Sequence, residues 1–522
     1  MVEQHRNRLS RRGVLRGTAA LGLGGIAESY AGHAYAAGAT LRAGITGYDV
    51  LNTLDPGKAT LIPEYYVIWG LFNCLFKFND KMDIVPDLAK SYAQTPDGAL
   101  EFKLHPNVKF HDGSAMTADD VKFTIERLLD PKFGSPNSSK VSAIDHVEAV
   151  DATTVRIHTK EPFAPLLTFL CNARTGTQIV PRKAVTAMGA EAFGRKPIGT
   201  GAFMLSDWVA KERLSFAASP HYFRAGLPKL GAVDMPLIPE ETSGVTALLG
   251  GQIDLTSTAP FADVRSLEKR KGIKLFRESG MNCRYIALNN RRAPFDDPHF
   301  RRAISMAFDR KAMVEVVLFG EGVPSQGLIP PALSFAYDPK PRPLATFNAE
   351  RAKAELAKSK YKAGTEAVVL AWGSGWWKRV VEIWTAQVNQ TLGTRLHVEV
   401  MEANTIYTRL RSGDYQASVW GWLGLVDPDE YLYDNLYSKG QRNYYGYSNP
   451  KLDALLVRGR YEMDRPKRGE IYKQAEALMI EDMPIIPCFC SNVHNLASDK
   501  VHGFVQLPYS NYGDAFQDIT IG

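Results

Sequence analysis

Apolar and polar positions along this chain switch between two periods, and each switch marks an element. Leu41-Arg42-Ala43-Gly44-Ile45 reads as a first strand, running into Thr53-Leu54-Asp55-Pro56, where the proline ends it and a helix follows. Leu100-Glu101-Phe102-Lys103-Leu104 alternates with period two, so it is a strand with one buried face. Thr117-Ala118-Asp119-Asp120 opens a helix from Val121 to Leu129, with Thr117 as cap and two acids in the first turn. Pro197-Ile198-Gly199-Thr200-Gly201 marks a turn before a strand from Ala202 to Ser206. A helix from Ser243 to Leu249 is closed by Gly250-Gly251, and Arg284 to Asn289 is another strand.

Phe300, Ala303, Ile304, Ala307 and Phe308 recur at helical spacing and predict one helix from Pro298 to Val317, ending near Gly320. Beyond it come helices over Ala349–Lys358 and Trp377–Leu392, and strands over Ala367–Trp372, Leu396–Met401 and Gln416–Trp420. Strands alternating with helices predict α/β sheets. No repeat of 20 to 50 residues and no low-complexity tract appears in the 522 residues, and two lobes are the economical organisation.

The N-terminus departs from this pattern. Ser10-Arg11-Arg12-Gly13-Val14-Leu15-Arg16 precedes a weakly apolar stretch from Thr18 to Ile26 and the small-residue triplet Ala34-Tyr35-Ala36, which together predict a twin-arginine export signal over residues 1–36. A membrane anchor would need a longer apolar run than this glycine-rich stretch provides. No cysteine stands near the cleavage site to carry a lipid, so the expected product is free in the periplasm.

The formal charge of +6 is partly a property of that leader, whose five arginines and two glutamates leave +3 for the remainder. Lys and Arg are otherwise scattered among acids, and a dense basic face for nucleic acid is not expected. Five cysteines (Cys74, Cys171, Cys283, Cys488, Cys490) leave at least one thiol unpaired, and Cys488 and Cys490 are too close to bridge comfortably. The expectation is that no disulfide framework holds the fold. Ile485, Ile486 and Phe489 make the Cys488-Phe489-Cys490 segment a buried strand with thiols as apolar filler, rather than a metal site with His494.

Motifs for hydrolytic or phosphoryl chemistry are missing: there is no Gly-x-Ser-x-Gly elbow, His-Glu-x-x-His helix or Walker loop. His111-Asp112 sits in Phe110-His111-Asp112-Gly113-Ser114, a turn composition that explains both residues without catalysis. The chain concentrates aromatic rings instead. Six of eight tryptophans (Trp372, Trp376, Trp377, Trp384, Trp420, Trp422) fall within about fifty residues. Trp384 lies at core spacing inside a helix. Trp372 and Trp376 flank Gly373-Ser374-Gly375 in a strand-to-helix loop, and Trp420 and Trp422 share one parity, so these four are candidates for a cleft wall, with plain core packing as the alternative.

Thr53-Leu54-Asp55-Pro56, Phe110-His111-Asp112-Gly113, Pro197-Ile198-Gly199-Thr200-Gly201, Pro294-Phe295-Asp296-Asp297 with Arg301 to Arg310, Gly413-Asp414-Tyr415, Asp427-Pro428 and Gly446-Tyr447-Ser448-Asn449-Pro450 follow one another in order. In that order the chain resembles the family-5 extracellular solute-binding proteins of ABC importers, over nearly all of its length beyond the leader. The resemblance implies a two-lobed periplasmic-binding-protein fold of type II with an added subdomain in the first lobe. The expected division is residues 37–61, 191–284 and 491–522 for lobe I, 62–190 for its added subdomain, and 285–490 for lobe II. The chain would cross between lobes near Asn282 to Asn290 and return near Pro484 to Ser491. The implied activity is capture of a small organic solute, peptides included, and delivery to a membrane permease, by a monomer without cofactor or metal. Arg379 matches a family arginine that meets a ligand carboxylate, with an ordinary surface charge as the alternative. Thr60 and Tyr65 join Trp372, Trp376, Arg379, Trp420, Trp422 and Asp427 as the candidate ligand-binding set. The family's amine-holding aspartate is missing from Gly421-Trp422-Leu423-Gly424-Leu425-Val426, and Asp427, the first acid after it, either takes that role or only shapes the Asp-Pro turn. A secreted hydrolase of peptides or glycans and a receptor for nickel or a metallophore are the competing readings.

Overall fold

The computed structural model describes residues 38–373, 376–421, 426–440 and 442–522. Its largest sheet has eleven strands, and two long ones tie its flanks together: Ile273–Leu288 and Ile485–Ser498 run antiparallel side by side. On one flank Leu255–Thr256, Thr40–Thr46 and Ala232–Ile238 run parallel to one another, followed by the antiparallel strands Arg213–Ala218 and Phe203–Val209. On the other, Ala417–Gly421, Glu366–Trp372 and Arg395–Met401 are parallel. A separate four-stranded antiparallel sheet, Ala89–Gln94, Leu100–Leu104, Thr154–Thr159 and Ile144–Asp151, carries the helix Ala118–Leu129. These are the parts of a type II periplasmic-binding-protein fold.

The elements arise for local reasons. Trp376–Leu392 buries Val380, Val381, Trp384, Thr385, Val388 and Leu392, one face at helical spacing, so Trp384 is core. The Asp120 carboxylate accepts a hydrogen bond from the Thr117 N–H at 2.9 Å and closes the start of its helix. The expected single helix over 298–317 is two, Pro298–Met306 and Arg310–Leu318. Asp309 breaks it: its side chain accepts from the N–H groups of Lys311 and Ala312 and starts a new helix, although the apolar spacing runs straight through. The strand expected at Arg284–Asn289 is the end of a sixteen-residue strand whose earlier part has no clean alternation.

The long pair is irregular just before the stretch from Asn282 to Asn290. Pairing runs from Ile273↔Ser498 to Glu278↔Val493, lapses, and resumes at Asn282↔Ser491. Gly280 stands in the gap, where a Cβ would lie 2.4 Å from the Ser491 carbonyl oxygen, so only glycine allows this approach. Cys283 and Cys490, partners in the resumed ladder, form a disulfide across the two strands. This corrects the expectation of a fold without disulfides; Cys74, Cys171 and Cys488 are buried free thiols.

Two Asp-Pro turns repeat one device in distant parts of the chain. Asp55 caps Gly57 N–H at 2.9 Å and pairs with Arg127, all but enclosed. Asp427 caps Asp429 N–H at 2.9 Å, starting the helix Pro428–Leu436, and holds Arg468 with both oxygens, at 2.5 and 2.8 Å.

Candidate functional site

A cavity of about 160 Å³ lies over the irregular stretch of the long strands. Asn282, Arg284 and Asn492 come from the strands themselves, Tyr48, Tyr66 and Glu241 from one flank, and Trp376 from the other. A second cavity of about 850 Å³ is bordered by segments between Leu129 and Lys160 and between Tyr407 and Arg460.

An unbroken row of rings links the two. Trp376 stacks on Trp377 at 4.5 Å between centroids, Trp377 on Trp372 at 4.3 Å, Trp372 meets Trp420 edge-on at 5.6 Å, and Trp420 lies parallel to Tyr407 at 5.8 Å. Trp376 lines the smaller cavity and Tyr407 the larger. The Arg284 guanidinium sits 4.7 Å over Trp377 and 5.3 Å over Trp376. Burial drives its pKa down to about 10, so it stays charged at neutral pH.

The sequence-predicted residues divide between the row, its surroundings and the structural frame. Trp372, Trp376 and Trp420 are brought together, Trp420 being 6% exposed; Trp422 lies outside the described residues. Tyr65 is enclosed, its hydroxyl donating to the Ala59 carbonyl and accepting from Asn137, with the Arg174 guanidinium 5.9 Å from its ring. Thr60 is exposed, and its carbonyl accepts from Arg174 at 2.7 Å. Arg379 is on the exposed side of its helix and is not among the lining residues of either cavity. Asp427 is 1% exposed and its carboxylate is taken up by Arg468, Thr168 Oγ1 and the Asp429 N–H. Of its two readings, the turn-shaping one matches this placement; the amine-holding one would require breaking a bidentate ion pair.

Three residues missed in the sequence line the smaller cavity: Tyr48, Glu241 and Arg284. In the sequence Arg284 is only the start of a strand, and Glu241 lies just before the predicted helix; nothing local distinguishes either from surface charge.

The groups that invited a catalytic or metal reading are engaged elsewhere. His111 Nδ1 accepts from the Gly199 N–H and Nε2 donates to the Gly201 carbonyl, each at 3.1 Å, which ties the turn to the glycine loop. Burial holds its pKa down to about 4, so the ring is neutral. His494 faces Glu321 at 2.9 Å and Cys490 is bonded to Cys283. Among the described residues no three His, Cys, Asp or Glu side chains are grouped to hold a metal ion.

The family model of bacterial extracellular solute-binding proteins, family 5 Middle, matches residues 83–444. A curated relative, glutathione-binding protein GsiB of Escherichia coli O6:K15:H31 (strain 536 / UPEC), is 26% identical over 481 residues, covering 90% of this chain and 92% of its own. Among solved structures, HbpA2 from Haemophilus parasuis superposes with a TM-score of 0.80 at 26% identity, covering 92% of this chain and 100% of its own. The binding protein AgaA from A. tumefacien R10, solved with agropinic acid, gives 0.78 at 25% identity, covering 92% and 99%.

Proposed function

The chain belongs to the bacterial extracellular solute-binding proteins of family 5, and from that premise we propose that its smaller cavity is where the solute is seized. As a member of this family it is the periplasmic binding component of an ABC importer: it captures a small organic solute between two lobes and hands it to the membrane permease. The observation that carries the site is that one cavity draws its walls from both sheet flanks and from both crossing strands, so closing the lobes would shrink it. The rings of Trp376, Trp377 and Trp372 then offer flat faces at little entropic cost, and Arg284 offers a charge that burial leaves in place. Named relatives are described as binding glutathione and agropinic acid, which makes acidic or peptide-like solutes the first class to try.

In this reading lobe I comprises residues 37–61, 191–284 and 491–522, its added subdomain 62–190, and lobe II 285–490. Trp372, Trp376 and Trp420 belong to the ligand wall, Thr60 and Tyr65 act through Arg174, Arg379 approaches only on closure, and Trp422, outside the described residues, remains a candidate from its sequence position. The protein works as a monomer and makes or breaks no bond. Export by the twin-arginine route rests on Arg11 and Arg12, which lie outside the described residues; replacing both by lysine should leave precursor in the cytoplasm.

The site is tested by releasing the solute carried by natively purified protein, identifying it by mass spectrometry, and titrating it back while following tryptophan fluorescence. The emission should shift saturably, and Trp376→Leu should weaken binding about tenfold or more, the loss of one well-packed aromatic contact. Trp384→Phe should leave the response intact. A response lost only in the Trp384 variant would remove the ring row from the site.

A further inference from the structure

We propose that Glu241 is the residue that selects the solute's charge: it pairs with a positively charged nitrogen of the captured molecule, an ammonium or a guanidinium. This rests on the capture reading above and adds to it a requirement on the ligand.

Glu241 opens the helix Glu241–Leu249 and is the one carboxylate among the described residues lining the smaller cavity. The stem of its side chain lies against Gly47, where a Cβ would stand 3.3 Å from Glu241 Cγ; the left-handed φ of +82° at Gly47 lets the backbone turn there. Oε1 accepts from the Thr258 hydroxyl at 3.3 Å, so the carboxylate is held over the cavity by its packing and one hydrogen bond. No ion pair to Glu241 occurs among the described residues, and Oε2 accepts from none of them.

The environment is poorly suited to a lone anion. Desolvation pushes the Glu241 carboxyl above the usual carboxylate range, and the nearby Glu240 adds to this, while Thr258 opposes it. Tyr48, on the same wall, lies in the field of both Glu241 and Arg284. The cavity therefore presents a carboxyl and a guanidinium to one small volume, and lobe closure would strip water from both. A ligand nitrogen that carries a proton offsets that desolvation at Glu241, whereas a neutral amide in its place leaves the carboxylate unpaired. Asp427 cannot do this, being committed to Arg468.

The test uses the full mature chain and three probes: trialanine, which carries an ammonium; N-acetyl-arginine, which carries only a guanidinium; and N-acetyl-trialanine, which carries neither. Calorimetric titration should give tighter binding for at least one of the first two than for the third, and which one does so distinguishes ammonium from guanidinium. Glu241→Gln should erase that preference, weakening the cationic probe by at least about tenfold, while the control Glu240→Gln keeps it. The inference is overturned if neither cationic probe binds more tightly than N-acetyl-trialanine, or if the preference survives in Glu241→Gln. Native mass spectrometry of the same preparations separates this inference from the capture reading. A solute retained by the wild type without any cation preference overturns the role of Glu241 alone. No retained solute and no probe binding overturns both.

Discussion

Asp55 and Asp427 each precede a proline, each cap the following turn, and each face an arginine from a helix far along the chain, yet the two ion pairs are built to different standards. Asp427 receives Arg468 through both carboxylate oxygens and takes a third hydrogen bond from Thr168. Asp55 receives Arg127 through one oxygen only; its second oxygen and the Nε and Nη1 of Arg127 are buried without hydrogen-bond partners among the described residues. The consequence is written in the proton affinities. Burial works against the Arg468 charge, and Asp427 more than restores it, so the net shift is upward. Burial also works against Arg127, and there Asp55 fails to compensate, so the net shift is downward; the Asp55 carboxyl is itself raised by burial despite the arginine. The same dipeptide thus marks a fully paired site in one region and a half-paired one in the other, and the difference lies in geometry, not composition.

The largest effect should come from removing the arginines. Arg468→Met leaves Asp427 enclosed with both of its charge-assisted bonds gone, and should lower unfolding stability by about 3–5 kcal/mol in denaturant titration. Arg127→Met removes one poorly satisfied contact along with two unsatisfied donors and should lose clearly less, about 2 kcal/mol or below. Equal losses would dissolve the contrast.

A smaller effect is expected from acidity. The folded protein holds the Asp55 proton more tightly than the unfolded chain does, so below the unfolded pKa, near 3.8, the group's contribution is fully present. That contribution is lost as pH rises from there through the raised folded value, because the folded state binds more protons over this window. Asp55→Asn should therefore gain stability relative to the wild type as pH climbs above about 4. A difference curve that is flat, or slopes the other way, would mean that Arg127 holds Asp55 ionised after all.

The limits of legibility follow from the same contrast. Elements set by local pattern were readable within a residue or two: Leu100–Leu104 and Ala349–Lys358 carry their alternation or their amphipathic face in their own residues. Features set by partners far away were not. The choice between the two readings of Asp427 stays open in the sequence because its partner Arg468 is 41 positions on. The strand Ile273–Leu288 looked short because Arg277-Glu278-Ser279-Gly280 breaks the alternation, and its partner begins 212 residues later. At Asp309 a local capping signal was overridden in the reading by a longer apolar period. The candidate tryptophans stand out by their clustering, loop position and strand parity, whereas Glu241 and Arg284 carry no such signal, since a single charge becomes meaningful only when the fold encloses it.

The bond between Cys283 and Cys490 fixes what kind of movement the two crossing strands can transmit. It joins them beside the gap in their ladder, so they cannot slide past one another or part at that level without breaking a covalent link. What remains is bending of the pair as one unit, with the residues around Gly280 that drop out of the ladder taking up the change of angle. The link behaves as a rivet: it keeps the two strands in step and removes translation, so each closing stroke would bring the same wall residues back into register.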